Sequence, residues 1–191
     1  MKIIILIISL ILSPFDCVEK KDLVEIDTTH GKIIVQLFPD LAPVTVKNFY
    51  KYIDAQKFNN STFYRTVTAT PDNQPFSNTK INVIQGGIED TAQMFPPIIH
   101  ETTNITGLKH LSGTISMARD EPGTASSEFF ICVQDQPSLD FGGKRHGDGT
   151  GFAAFGKVIE GMEVVKLIHK EKRTEQRLNP PIKINFIKRI N

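Results

Sequence analysis

Residues 23–38, LVEIDTTHGKIIVQLF, set apolar side chains at alternate positions, Val24 and Ile26 and then Ile33, Val35 and Leu37, on either side of a His30-Gly31 turn. That pattern predicts a β-hairpin with one buried face. The period then changes. Pro43 stands near the start of APVTVKNFYKYIDAQ, in which Val46, Phe49, Tyr50 and Ile53 recur at i, i+3, i+4 and i+7, the stripe of an amphipathic helix. From residue 63 short apolar runs return, FYRTV, INVIQGG, GTISMA, EFFICV and GFAAFGKVI, separated by turn-forming residues. One more helix is predicted at GMEVVKLIHKEK, with Val164, Leu167 and Ile168 on one stripe, before a last alternating strand, IKINFIKRI. Many strands with two widely separated helices do not build a parallel βαβ fold. They predict an antiparallel sheet that closes into a barrel, with the helices over its open ends.

EFFICV departs from simple alternation: Phe129, Phe130, Ile131, Cys132 and Val133 are apolar on both faces of a strand. One face belongs to the barrel; the other needs a second apolar contact. Two stretches, TATPDNQPFSNTK (68–80) and DFGGKRHGDGTG (140–151), are too polar and turn-rich for the core and are expected as surface loops.

The chain has 191 residues, with 22 Lys and Arg against 21 Asp and Glu. So even a balance provides no global field to concentrate nucleic acid, and none is expected as a partner. At the N-terminus one Lys precedes a run from Ile3 to Leu12 that is apolar except for Ser9, then Ser-Pro and Cys17. Ten residues rise only about 15 Å as a helix, half a bilayer core, which fits a secretory leader better than a membrane span. Residues 1–17 are therefore set apart as a leader and residues 18–191 as one domain. Export to the cell envelope is expected, periplasmic or membrane-anchored. Cys17 is placed like the acylated Cys of a bacterial lipoprotein, although Pro14, Phe15 and Asp16 depart from the small residues such sites carry. With Cys17 removed or acylated, Cys132 stands alone in an apolar strand, as a buried thiol rather than a nucleophile or half of a disulfide.

The candidate chemistry narrows by elimination. The five His residues, 30, 100, 110, 146 and 169, show no metal-ligand spacing and read mostly as surface or turn residues, so no metal is expected. Ser126-Ser127 lacks a nucleophile elbow, and Gln85-Gly86-Gly87 and Phe141-Gly142-Gly143-Lys144 lack phosphate-loop spacing. What remains carries no covalent reagent: Arg65 inside FYRTV, Gln85 at the end of an apolar run, and the two-faced strand EFFICV. An Arg in an apolar strand either snorkels or pairs with a carboxylate distant in sequence. On periodicity alone the chain is a β-rich globular domain.

The blocks FYRTV (63–67), VIQGG (83–87), GTISMAR (113–119), SSEFFICV (126–133), SLDF (138–141) and FAAFGKVIEGMEVV (152–165), in this order, resemble the cyclophilin peptidyl-prolyl isomerases. The resemblance runs from residue 23 to the end, and SMAR has a bacterial look. It implies a mainly β fold, a closed eight-stranded antiparallel β-barrel capped by two α-helices, with a proline-binding groove on the outside. It also implies cis-trans isomerisation of X-Pro bonds in polypeptides, in aid of their folding, without metal or organic cofactor. Carried over by position, Arg65 matches the catalytic arginine and Gln85 the glutamine that orients substrate. Val83, Leu139 and Phe152 match pocket walls, and Phe130 the pocket floor. Ala118 and Arg119 match the backbone that pairs with the peptide, and Glu128 a glutamine near the arginine, where it is able to ion-pair with Arg65. Phe129, Ile131 and Val133 then face the core, and Phe130 and Cys132 face the groove. Departures are Asn82 in place of an aromatic wall, a long connection between Arg65 and Gln85, and Ser138 where cyclosporin-sensitive members carry Trp, which implies weak cyclosporin binding. The alternative reading is a non-catalytic cyclophilin-like module that grips proline peptides at the envelope. A monomer is expected.

Overall fold

The computed structural model describes residues 22–190; the leader and Cys17 lie outside the described residues. Strand β1 (Leu23–Thr28) and β2 (Gly31–Leu37) form the hairpin, in full antiparallel register from Leu23–Gln36 to Thr28–Gly31. Helix α1 (Pro43–Asp54) follows, then β3 (Thr62–Val67), β4 (Val83–Gly87), the single turn α2 (Thr103–Thr106), β5 (Thr114–Met117) and β6 (Phe129–Cys132). The chain ends with β7 (Ala153–Glu160), α3 (Met162–Lys170), the two-residue β8 (Arg173–Thr174) and β9 (Arg177–Ile190).

Neighbouring strands run β1-β2-β7-β5-β6-β4-β3-β9, and β9 pairs back onto β1, so eight antiparallel strands close and β8 is a short flank on β9. Closure leaves the barrel without free edges. Its interior is filled by inward positions of every strand, among them Ile26, Val35, Phe63, Ile84, Ile115, Phe129, Phe155 and Ile184. Phe49 enters from α1 and meets Phe129 edge-on at 5.5 Å and Phe155 at 5.2 Å, so the helix closes one mouth with an aromatic plug.

The helices differ in detail from the periodic pattern. In α1 the buried aromatics are Phe49 and Tyr52, while Tyr50 sits at the rim under Arg189. Tyr52 can be buried because its hydroxyl is satisfied, by Ser126 Oγ at 2.7 Å and by the Phe95 amide at 2.7 Å. In α3 the buried face is Val164, Val165 and Ile168, and Leu167 is 48% exposed. The third helix, α2, ends after one turn at Gly107 in the left-handed conformation, and four residues carry no readable period. No helix among the described residues is long and apolar enough to cross a membrane.

Both polar stretches are loops, and both are tied down by their own side chains. In the 68–80 loop Gln74 is buried, donating to the Thr68 and Ile81 carbonyls and accepting from the Ile81 amide. Asn82 accepts from the Ala69 amide at 2.9 Å. The residue that departs from an aromatic wall thus fastens the loop's first turn to β4.

Candidate active site

Strict alternation along β3 puts Phe63 in the barrel and would put Arg65 there too. The register shifts between Phe63 and Arg65, with Phe63 opposite Gly86 and Arg65 opposite Gln85, so Tyr64 is the extra residue of a β-bulge. A bulge resets which face a side chain takes. Phe63 stays inside, Thr66 returns inside, and Arg65 and Val67 come out on the face shared with Gln85 and Val83. Gly86 permits this: a Cβ there would lie 2.7 Å from the Thr62 carbonyl oxygen and 2.8 Å from the Phe63 ring.

On that outer face Val67, Ile81, Val83, Phe130, Cys132 and Leu139 make a second apolar cluster, separate from the barrel interior, with Ala118 and Phe152 packed against it. The two faces of EFFICV divide as expected: Phe129, Ile131 and Val133 belong to the barrel core, Phe130 and Cys132 to the outer cluster. Phe130 and Phe152 meet edge-on at 5.5 Å. Above them opens a cavity of about 680 Å³, lined by Arg65, Val83, Gln85, Ala118, Arg119, Glu128, Phe130, Leu139 and Phe152 together. All nine positions singled out in the sequence therefore meet in one hollow. Ile81 lines it as well, on the stretch of chain where an aromatic wall is lacking. Cys132 is a buried free thiol, its pKa pushed up by burial, and has no nucleophilic character.

The polar edge is a relay. Glu128 Oε1 accepts from the Tyr64 hydroxyl at 2.7 Å; Tyr64 accepts from Gln85 Nε2 at 2.6 Å; Gln85 Oε1 accepts from Arg65 Nη1 at 2.7 Å. Because the Tyr64 proton is spent on the carboxylate, its oxygen must accept, which turns the Gln85 carbonyl toward Arg65. The expected direct Glu128–Arg65 ion pair is absent; Tyr64, brought to this face by the bulge, stands between them. Burial raises the Tyr64 pKa, with the Glu128 bond adding to it, so the phenol stays protonated. Burial also raises Glu128 above its ordinary 4.5.

Arg65 is half-buried, and its pKa is lowered by burial against the favourable fields of Tyr64 and Glu128; a guanidinium so shifted stays charged. Its other partner was not visible in the sequence. Gln176 Oε1, from the β8–β9 turn, accepts Arg65 Nε at 2.9 Å and Nη2 at 2.6 Å, and Gln176 Nε2 donates to the Asn73 carbonyl at 2.8 Å. Asn73 belongs to the 68–80 loop and also donates to the Thr66 and Glu175 carbonyls. The long connection thus braces the residue that holds Arg65.

Two further residues take roles the sequence did not suggest. Arg119 keeps its side chain out of solvent, donating to Asp148, Thr150 and the Gly151 carbonyl, with its guanidinium over the Phe152 ring at 5.0 Å. It pins the 140–151 loop beside the hollow. His110, expected at the surface, is 1% exposed; its Nδ1 lies 2.8 Å from Asp140, its Nε2 3.0 Å from Ser116 Oγ, and its ring stacks on Phe130 at 5.9 Å. Two polar partners, one for each ring nitrogen, make that burial tolerable. No three His, Cys, Asp or Glu side chains among the described residues are grouped to hold a metal.

A preformed hollow with an apolar floor, edged by a fixed cation and without an activated nucleophile, suits conformational rather than covalent chemistry. The family model for "cyclophilin type peptidyl-prolyl cis-trans isomerase" matches residues 23–189. The chain belongs to that family. It is an isomerase by class. Among curated relatives, peptidyl-prolyl cis-trans isomerase B of Escherichia coli is 36% identical over 151 residues, 76% of this chain and 83% of that protein. Peptidyl-prolyl cis-trans isomerase A of Dickeya dadantii is 38% identical over 146 residues, 74% of this chain and 67% of that protein. A cyclophilin of Cryptosporidium parvum shares the fold with a TM-score of 0.70 at 22% identity, covering 90% of this chain and 99% of that one; it has also been solved in the presence of the dipeptide Ala-Pro.

Proposed function

We propose that this cyclophilin rotates X-Pro bonds in polypeptide substrates, with Arg65 as the group that favours the twisted imide. The supporting observation is the placement of one guanidinium, held on two sides by Gln85 and Gln176, at the edge of a hollow floored by Phe130. Rotation crosses a barrier of about 18–20 kcal/mol set by amide resonance and breaks no bond. In the twisted state the prolyl nitrogen regains a lone pair and accepts a hydrogen bond; in either planar state it does not. A donor aimed there is stronger in the transition state than in the ground states, which is what raises rate. Phe130, Leu139, Phe152 and Val83 grip the ring in both isomers and contribute affinity. Lowering the barrier by about 5 kcal/mol accelerates the step roughly 4000-fold, from tens of seconds to around ten milliseconds, within reach of preorganised electrostatics.

The substrates are proline-containing segments of other chains, and the site is complete within one monomer. Export to the envelope, with Cys17 as the point of lipid attachment, rests on the apolar run Ile3–Leu12 ahead of it. Mass spectrometry of the mature N-terminus tests this: a chain beginning at acylated Cys17 is expected, and an unprocessed Met1 would contradict it. The activity is tested by adding the protein to a short X-Pro peptide and following cis-to-trans relaxation. Acceleration is expected. Saturable binding without acceleration would leave a proline-peptide binding module.

A further inference from the structure

The cavity has a second arginine. Arg145, from the 140–151 loop, lines the same hollow as Arg65. Its Nη1 alone is engaged by the protein, donating to Gln74 Oε1 at 2.8 Å, Ser77 Oγ at 2.9 Å and the Thr79 carbonyl at 2.7 Å, all in or beside the 68–80 loop and all neutral. The opposite edge of the guanidinium, Nε and Nη2, makes no hydrogen bond among the described residues, and neither atom is a buried unpaired one, so that edge reaches solvent. This is the edge that meets a carboxylate side-on with two parallel bonds.

Neither arginine is neutralised. Among the described residues no carboxylate forms a salt bridge with Arg65 or Arg145, whereas Arg119 has Asp148 and Arg177 has Glu89. Arg65 is held by two glutamines. Of the cavity's three acids, Glu89 is taken by Arg177 and Glu128 by Tyr64, and Asp120, beside Arg119, forms no salt bridge with either arginine. Two cations thus line the same hollow, and burial and the field of Arg65 both depress the Arg145 pKa. A half-buried guanidinium with a free two-donor edge and a like charge nearby gains by accepting an anion.

We infer that Arg145 forms an acid-recognising subsite beside the proline hollow, so that the preferred substrates carry a Glu or Asp side chain on a residue flanking the proline. This rests on the isomerase reading and specifies its substrate class. Arg145 is only half-buried, so a Glu peptide should be favoured about tenfold over its Gln counterpart, about 1.4 kcal/mol. The 68–80 loop supplies the purpose of its own length here, since Gln74, Ser77 and Thr79 hold Arg145 by the edge that the substrate does not need.

The test uses two pairs of tetrapeptides, Ala-Glu-Pro-Ala with Ala-Gln-Pro-Ala and Ala-Ala-Pro-Glu with Ala-Ala-Pro-Gln, the C-terminus amidated, at low salt. For at least one pair kcat/KM should favour Glu about tenfold in the wild type, the ratio falling toward one in Arg145→Gln and in high salt. Arg145→Lys, which keeps a charge but not the fork, should retain part of the preference. A ratio near one in the wild type, or a ratio that Arg145→Gln leaves intact, overturns the inference while the isomerase reading stands. Should no peptide be turned over, that reading falls, and the same Glu-to-Gln ratio is then read from Kd by titration, where equality overturns the subsite too.

Discussion

Gln176→Ala is the perturbation that most sharply separates holding Arg65 from merely having it. Of the guanidinium's contacts, Nη1 is fixed by Gln85 at 2.7 Å, and Nε and Nη2 converge on the single oxygen of Gln176 at 2.9 and 2.6 Å. Truncating Gln176 leaves the fork pinned at one corner and free to swing about the Gln85 bond. A hydrogen bond to a charged group contributes about 1.5–3 kcal/mol; two donors sharing one acceptor on a half-exposed residue belong at the low end, about 1.5–2 kcal/mol. If that orientation matters only when the imide is twisted, the loss appears in kcat, roughly 10- to 30-fold, and KM holds within about twofold. KM holds because Gln176 is not part of the lining of the hollow. The assay is full Michaelis–Menten analysis of cis-to-trans isomerisation, with thermal melting to verify that the variant is folded. A folded variant with wild-type kcat would refute the bracing argument, as would a KM that rises in step with the loss.

Other expectations follow from the same contacts. Glu128 has a folded-state pKa above its ordinary 4.5, raised chiefly by burial and further by Glu89 and Asp120. Because the folded state holds that proton more tightly than the unfolded chain, the group supports folding most below about pH 4.5, and the support is lost as pH rises through the folded pKa. Glu128→Gln, which keeps an acceptor for Tyr64, should therefore melt higher than wild type at pH 7, with the difference vanishing by pH 4; melts that differ equally at both would contradict it. Ser138 in place of an indole removes a large contact surface, so cyclosporin should inhibit weakly, and nanomolar inhibition in the isomerisation assay would count against that.

Alternation in β1, β2 and β9, the helical period of α1, and the ordered family blocks made the barrel and nine of the residues that line the hollow legible in the sequence. Each of those signals is local, or is a string that one segment carries by itself. What escaped depends on contacts between segments. The bulge at Tyr64 has no signature beyond a glycine on the partner strand, yet it decides that Arg65 leaves the core and that Tyr64 intervenes before Glu128. Gln176 is 111 residues from Arg65 and sits in a polar turn like any other. His110 looked like a surface residue because its partners, Ser116 and Asp140, are unremarkable until folding stacks the ring on Phe130. Tyr52 displaced Tyr50 from the buried stripe because its hydroxyl found Ser126 and the Phe95 amide, a fact no period encodes.

The account turns on Arg65 acting as a donor to the twisted prolyl nitrogen. Measuring kcat for an X-Pro peptide by NMR exchange in wild type, Arg65→Lys and Arg65→Ala, with peptide Kd measured alongside, addresses it most directly. Losing one preorganised donor costs about 2.7–4 kcal/mol, so kcat should fall by about 10²–10³ in Arg65→Ala and nearly as far in Arg65→Lys, which lacks the fork, while Kd changes little. An alanine variant that binds peptide and turns it over at the wild-type rate would contradict the claim.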